Sequence, residues 1–531
     1  FGNSIYLAVY SLFHSFVALI LMEKWHGVVW HRVLLGAVAV LHMAIIALTQ
    51  TRGAMLGYLG GLLVATFLIA VFERERKTLR ISATVALVVV LSIVGAGFVF
   101  KDTEFARTTP LVARFTQIEL SSGTVHARFM NWGMAWQGVK ERPILGWGQG
   151  NYEYVFSKYY DPNMYAEEPW FDRTHNIFFD WLVAAGFFGL IAYLLMPTSL
   201  LVHMWALDPK EHKWSLKKLV SFETIKSLFG ERDHAFTATE RALWTGLIAA
   251  YMFHNLFVFD NIISYILFFS VLAYIHFRVT EGNETLWGDA DVSSETVTSV
   301  VLPVTLVVTG LVLWYVNVPG IKTAQALIDA LQPQKTLSVG QVVQQTPEDV
   351  IGHYKRAIGY DQLGRQEVRE QVAQMAANIR RSEGVSQETK LAFQELAMTE
   401  VLREVERNPN SARLQLFSAA LYGGFGQLDM AEQTLKRVLE LTPNKQVAMF
   451  QLGEVLMLEG KNDEAAEVLK AAYEVQTEFD QAAVMYGVAL LRAGSDKEAV
   501  EHITQHFGEV TFDDGRLFAE WANAKRVDVL A

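Results

Sequence analysis

The sequence predicts an all-α protein in two parts, a polytopic transmembrane helix bundle followed by a soluble α-solenoid. Three observations predict it. Apolar runs close to the length that crosses a hydrocarbon core of about 30 Å crowd the first 320 residues. From residue 321 onward the chain turns polar and helix-forming. From residue 408 it repeats itself at a fixed step. With 51% hydrophobic residues among 531, the chain is too apolar for an ordinary soluble protein, yet it is not apolar throughout.

Eight runs have the length of a span: 3–22, 32–50, 54–72, 82–100, 177–206, 242–260, 262–281 and 298–317. The connection ERERKTLR (73–80) holds four basic residues, and 207–241 holds Lys210, Lys213, Lys217, Lys218, Lys226, Arg232 and Arg241. Both are expected on the cytoplasmic side, where short basic loops are retained. Threading the chain alternately from these anchors puts four features outside: the Gln50–Gly53 turn, the long segment 101–175, the Asp260–Asn261 turn and everything after 318. The segment 101–175 holds eight Lys or Arg, but it exceeds the roughly 60 residues over which basic charge sets sidedness. The expected location is the bacterial inner membrane, with the repeats on its outer side. The chain opens on Phe1 without a signal peptide, and further spans are expected before it.

The polar part carries the repeat. Gly426, Gly460 and Gly494 are 34 residues apart, as are Ala431, Ala465 and Ala499, and Ala419, Gly453 and Gly487 keep the same step. That period, with small residues where two helices touch, matches the tetratricopeptide unit. The expected division is a membrane domain over 1–320, a helical linker with a degenerate repeat over 321–407, and tetratricopeptide repeats over 408–531. Such an array presents a concave face to a peptide, a glycan or a protein partner; the plainer reading is a stiff spacer.

Composition excludes several chemistries. Zero cysteines removes disulfides, thiolate metal sites and a cysteine nucleophile. The net charge of −11 is spread, and no basic cluster interleaves with aromatics, so nucleic acid is not an expected partner. Walker, dinucleotide and HExxH motifs are absent from the sequence.

What remains lies on the outer side. Arg52 stands between two spans in TQTRGAMLGYLGG, where an arginine can also simply reach the interface. The stretch VHARFMNWGMAWQGVKERPILGWGQGNYEYVF (125–156) carries Arg128 on an amphipathic helix. It then turns through Gly146, Gly148 and Gly150, either as a loop whose amides face a ligand or as a plain helix-ending turn. DRTHNIFFDWLVAAGFFG (172–189) sets Arg173, His175 and Asn176 directly before an apolar run. A lone histidine at a helix start is more often a cap or a satisfied polar group, and His126 and His254 read as structural. The sidedness argument, however, gathers Arg52, Arg128, Arg173 and His175 at one face. Guanidinium groups bind phosphate in bidentate fashion, and imidazole takes a proton near neutral pH. Together they suit glycosyl transfer from a lipid diphosphate to an acceptor hydroxyl, with inversion at the anomeric carbon. Around them, Asp161, Glu167, Glu168 and Asp172 lie among Tyr152, Tyr154, Tyr159, Tyr160, Tyr165 and Trp170, as in a sugar-binding groove or an interfacial aromatic belt.

The TRGA turn, the R-x-x-x-W helix leading to RPILGWGQGNY, THNIFFDWLVAAGFFG and FHNLFVFDNIISYILFF resemble the O-antigen ligase superfamily over about residues 30–280. That resemblance implies a GT-C-like bundle and metal-independent transfer without a cofactor. It matches His175 to the family's catalytic histidine, and Arg52 and Arg128 to the arginines that hold an undecaprenyl diphosphate donor; Arg173 is expected to add a contact. Asn176, Gly146, Gly148, Tyr152 and Trp170 are expected to support the site or meet the glycan. The chain departs from the family twice: Arg173 stands where members often have the first histidine of H-x-H-N, and Ala184 where many have a glutamate. The acceptor is a lipid, a protein or a glycan, so ligase and polymerase both remain. The rival is a non-enzymatic scaffold whose repeats recruit partners to an envelope complex; a flipping or transport role is weaker, because intramembrane charges are scarce.

Overall fold

The computed structural model describes residues 2–25, 27–109, 113, 123–205, 235–280, 293–332, 334–336, 342–362, 364–509 and 514–523. The residues divide into two compact units. One comprises Phe1–Phe156 with Glu167–Thr285, the other Ser157–Ala166 with Leu286–Ala531. Lys210, Lys213, Lys217, Lys218, Lys226 and Arg232, which anchor the sidedness argument, lie outside the described residues.

In the first unit the long helices are α1 (Ser4–Lys24), α2 (Val29–Leu48), α3 (Arg52–Phe72), α4 (Lys77–Val99), α5 (Gly123–Glu141), α6 (Tyr152–Lys158, ending in the second unit), α7 (Ile177–Trp205), α8 (Ala238–His254) and α9 (Ile262–Thr280). Seven described helices are long and apolar enough to cross a membrane, five of them α1 to α4 and α7, with α9 and one continuous helix over Ser294–Leu331. The predicted run 242–260 instead forms α8, which has 17 residues. Its Gly246 and Ala250 pack against Gly57 and Gly61 of α3 so closely that a Cβ on Gly57 would lie 2.6 Å from the Ala250 carbonyl oxygen. Small residues on successive turns bring backbones together where apolar burial gives no advantage over lipid. Phe13 and Phe16 of α1, Tyr251 of α8 and Phe268 of α9 fill the core around this pair.

The bundle has two distinct ends. At one, Glu73 accepts from Arg76 at 2.8 Å and from the Thr239 hydroxyl at 2.7 Å, and Arg76 also reaches Glu23. At the other lie the start of α3, the start of α7 and the turn after α8, joined because the Ile177 amide donates to the Asn255 carbonyl at 3.0 Å and Gly53 packs on His254 and Phe257.

The predicted span 177–206 is not one helix. Ala185 (φ −139°) and Gly186 (φ 62°) break α7. The break is clasped by the chain from 143 to 148: the Trp147 and Gly148 amides donate to the Val183 and Ala184 carbonyls at 2.7 and 2.9 Å, and the Phe187 amide donates to the Pro143 carbonyl at 2.8 Å. A side chain at Gly186 would strike the Ile144 carbonyl, and its positive φ favours glycine. Hydropathy reads apolar side chains and is blind to this backbone interruption, which is tolerated because protein, not lipid, takes its freed polar groups.

In the second unit the helix Leu302–Leu331 continues past its apolar part and buries Thr323, Ala326 and Ala330 against the unit's helical core. A short antiparallel hairpin, Gln334–Thr336 with Val342–Gln344, is the one addition to the all-α expectation among the described residues. Helices follow at Pro347–Tyr360, Arg365–Arg381 and Gln387–Arg407, then three helix hairpins: 412–424 with 428–441, 446–458 with 462–474, and 480–492 with 496–507. Gly426, Gly460 and Gly494 occupy the turn of each hairpin with φ of 74°, 77° and 81°. Ala431, Ala465 and Ala499 are fully buried. A Cβ on Gly453 would lie 2.6 Å from Leu469, so the 34-residue step marks where helices touch.

Candidate functional site

The site forms around the turn that precedes α7. His175 has a φ of 55°, a left-handed conformation that costs a non-glycine residue of order 1–2 kcal/mol. The turn is fixed on both sides. Before it, the Thr174 amide and hydroxyl donate to Asp180 Oδ1 at 2.9 and 2.8 Å. After it, Asn176 Oδ1 accepts from the Phe178 and Phe179 amides at 2.9 and 3.2 Å, which makes Asn176 the N-cap of α7.

Helix α5 holds the same turn from the side. Asn131 Nδ2 donates to the Arg173 carbonyl at 3.1 Å, and Trp132 Nε1 donates to the Thr174 carbonyl at 3.0 Å. Tyr152, buried, donates to the Asn131 carbonyl at 2.9 Å and to its Oδ1. Burial pushes the Tyr152 hydroxyl well above its ordinary value, so it remains a donor. The Asn255 carbonyl that anchors Ile177 belongs to a residue whose Nδ2 donates to Asp260, which also receives the Tyr193, Tyr251 and Ser264 hydroxyls.

The His175 ring stands edge-on between Phe171 at 5.2 Å and Phe259 at 5.3 Å. Its Nδ1 lies 3.3 Å from the Arg173 carbonyl. A proton on Nδ1 satisfies that oxygen and leaves Nε2 with a free lone pair. Burial first, and the Arg128 charge with it, hold the imidazole below its ordinary value, against the opposing pull of the Arg173 carbonyl and Asp172. The ring is therefore neutral at physiological pH.

Two guanidinium groups share this neighbourhood. Arg128 is held below the ordinary arginine value by burial and then by the Arg52 charge, with Glu168 opposing. Arg52 opens α3, and its Nε is buried with no hydrogen-bond partner among the described residues. Neither arginine forms an ion pair there. Arg173 differs: its guanidinium lies 3.7 Å from buried Asp180 and over the Phe259 ring at 5.5 Å. Glu168 is raised by burial and then by Asp172, and lowered by Arg128.

Several expected contacts have other partners. The Trp147 and Gly148 amides are bonded to the break in α7, and a Cβ on Gly146 would strike the Val183 carbonyl. Asn176 and Tyr152 are tied up within the protein. Tyr160 and Tyr165 pack in the second unit, Tyr165 against Phe479. Trp170 is half-buried. Trp132, the tryptophan of the R-x-x-x-W helix, and Asp260 of the Asp260–Asn261 turn lie in stretches the sequence already marks; Asn131, Asp180 and Asn255 also hold the turn, and their nearest signal is a polar residue set among apolar ones.

Seven described helices fit to cross a bilayer define an integral membrane protein. Residues 10–194, which take in Arg52, Arg128, Arg173 and His175, match the family model described as O-antigen ligase. The match covers about a third of the chain and makes this part similar to that family, whose general class is membrane glycosyl transfer. No curated protein matches the chain.

Proposed function

We propose that the protein transfers a glycan from a polyprenyl diphosphate to an acceptor hydroxyl on the outer face of the bacterial inner membrane, with tetratricopeptide repeats on that same side. The observation that carries this reading is the neutral, left-handed His175 coupled to Arg128, which is in turn coupled to Arg52, with both arginines free of ion pairs among the described residues. Unpaired, half-buried guanidinium groups are unfavourable unless an anion completes them.

In the reaction, the acceptor oxygen attacks the anomeric carbon while His175 Nε2 takes the hydroxyl proton. The bond from that carbon to the diphosphate breaks, and the polyprenyl diphosphate departs with the electron pair. Arg52 and Arg128 stabilise the charge that grows on it. Attack from the opposite face inverts the configuration. Arg173, partly neutralised by Asp180, adds a weaker contact and orients the turn.

The test is His175→Asn, because asparagine tolerates the left-handed backbone and cannot act as the base. Glycan transfer to the acceptor should be lost while the protein inserts and folds normally. Unchanged surface glycans in that variant would favour a non-enzymatic scaffold instead.

A further inference from the structure

Residues 157–166 of the outer loop belong to the same compact unit as the repeats. The Tyr165 ring lies 4.4 Å from Phe479 and edge-on to Phe450 at 5.9 Å, and its hydroxyl donates to Gln481 Oε1 at 3.2 Å. Gln446 Nε2 donates to the Pro162 carbonyl at 3.0 Å. The Lys445 ammonium sits over the Tyr160 ring at 3.9 Å. Lys445, Gln446, Tyr160 and Met164 are 1%, 0%, 3% and 0% exposed, so this is a fitted, desolvated contact. It combines a cation over a ring, an amide on a carbonyl and a cluster of aromatics, each demanding a defined geometry. The second and third hairpins both contribute, Phe450 from one and Gln481 from the other.

The loop segment is short at both ends. Upstream, Tyr152 anchors Asn131; downstream, Arg173 and His175 follow within ten residues of Ala166. We propose that the face formed by Lys445, Gln446, Phe450, Phe479 and Gln481 has as its occupant this chain's own segment Tyr160–Tyr165, and that the repeats act as a clamp which holds this segment fixed and so restrains the chain that leads to His175 through the catalytic cycle. The positioning half of this claim rests on the proposed role of His175; the clamp itself does not. The array then serves the transfer reaction in cis, and an external peptide reaches this face only by displacing the loop.

These 531 residues hold no cysteine, so cysteine pairs introduced among them can be read in the protein in native membranes. Tyr165→Ala should increase hydrogen exchange and proteolysis across 157–176 and lower kcat roughly tenfold with little change in donor KM, the signature of a misplaced catalytic group. Pro162→Cys with Gln446→Cys, added to Tyr165→Ala, should become joined by a short bifunctional thiol reagent, and joining should restore kcat. Failure of the same cysteine pair to cross-link with Tyr165 intact would overturn the clamp. So would wild-type kcat in Tyr165→Ala, or a joined protein that stays as slow as the unjoined one. If the glycan-transfer reading itself fails, no form shows transfer, yet the cross-link and the Tyr165-dependent protection persist, so the two failures are distinguishable.

Discussion

The two ends of the membrane bundle surround their arginines differently. At one end Arg76 is enclosed by Glu23 and Glu73, and Thr239 completes the Glu73 carboxylate. At the other end Arg52 keeps a buried Nε without a partner among the described residues, and Arg128 answers to nothing closer to a counter-charge than Glu168 and is crowded by Arg52. A bundle can evidently satisfy an arginine between its helices. Openness alone does not mark the His175 end, since Arg241, two residues from Thr239 at the first end, also buries its Nε and Nη1 without a partner among the described residues and lies over the Trp205 ring at 4.5 Å; what is particular to the His175 end is that two such arginines stand beside an imidazole.

Substitution can break this contrast. Arg52→Ala and Arg128→Ala should each lower kcat for glycan transfer by about 10²–10³-fold, the usual cost of removing a donor from a developing oxyanion, with near-normal thermal unfolding in detergent. Arg76→Ala should do the reverse: it strips the buried Glu73 of its charged donor, a loss of about 1–3 kcal/mol in stability, and leaves kcat close to wild type in the folded fraction. Should Arg52→Ala unfold the protein while Arg76→Ala spares it, the two ends would have exchanged roles. Tyr152→Phe sharpens the picture at smaller scale. It removes the donor to Asn131 at a cost of about 1 kcal/mol and should reduce kcat modestly by loosening the Arg173 carbonyl that faces His175.

The smallest effect concerns pH. His175 must be neutral to accept a proton, so kcat should fall on the acid side, below the ordinary imidazole value, because burial and Arg128 hold its own value down. Arg128→Gln removes a charge that disfavours the imidazolium; the acid limb should therefore move to higher pH. Asp172→Asn removes a charge that favours it and should move the limb lower. A profile indifferent to both would uncouple these groups from the reacting base.

Much of the fold was legible in the sequence, for reasons particular to each element. The glycines at 426, 460 and 494 repeat because each hairpin needs a left-handed turn, and a positive φ writes itself into sequence as glycine. The arginines and His175 were visible as polar residues at the edges of apolar runs. The interruption at Gly186 was not, since the residues on both sides of it are as apolar as any span, and only the carbonyls of Val183 and Ala184 betray it. Tyr160 and Tyr165 looked like sugar-stacking residues because an aromatic side chain does not announce its partner; here that partner comes from nearly three hundred residues downstream. Arg173 illustrates the same limit, since its nearest carboxylate, Asp180, lies inside an apparently uniform apolar helix.

The clasp between Pro143–Gly148 and the broken helix has a consequence for biogenesis. While the chain emerges, the segment 177–189 reaches the lipid with nothing of its own to receive the carbonyls freed at its interruption, and exposed backbone acceptors are unfavourable in hydrocarbon. Only the amides of Trp147 and Gly148, carried on a loop translated earlier, can satisfy them. Completion of the span therefore waits on the loop, so maturation of this protein is ordered, and the clasp is the step that closes this end of the bundle.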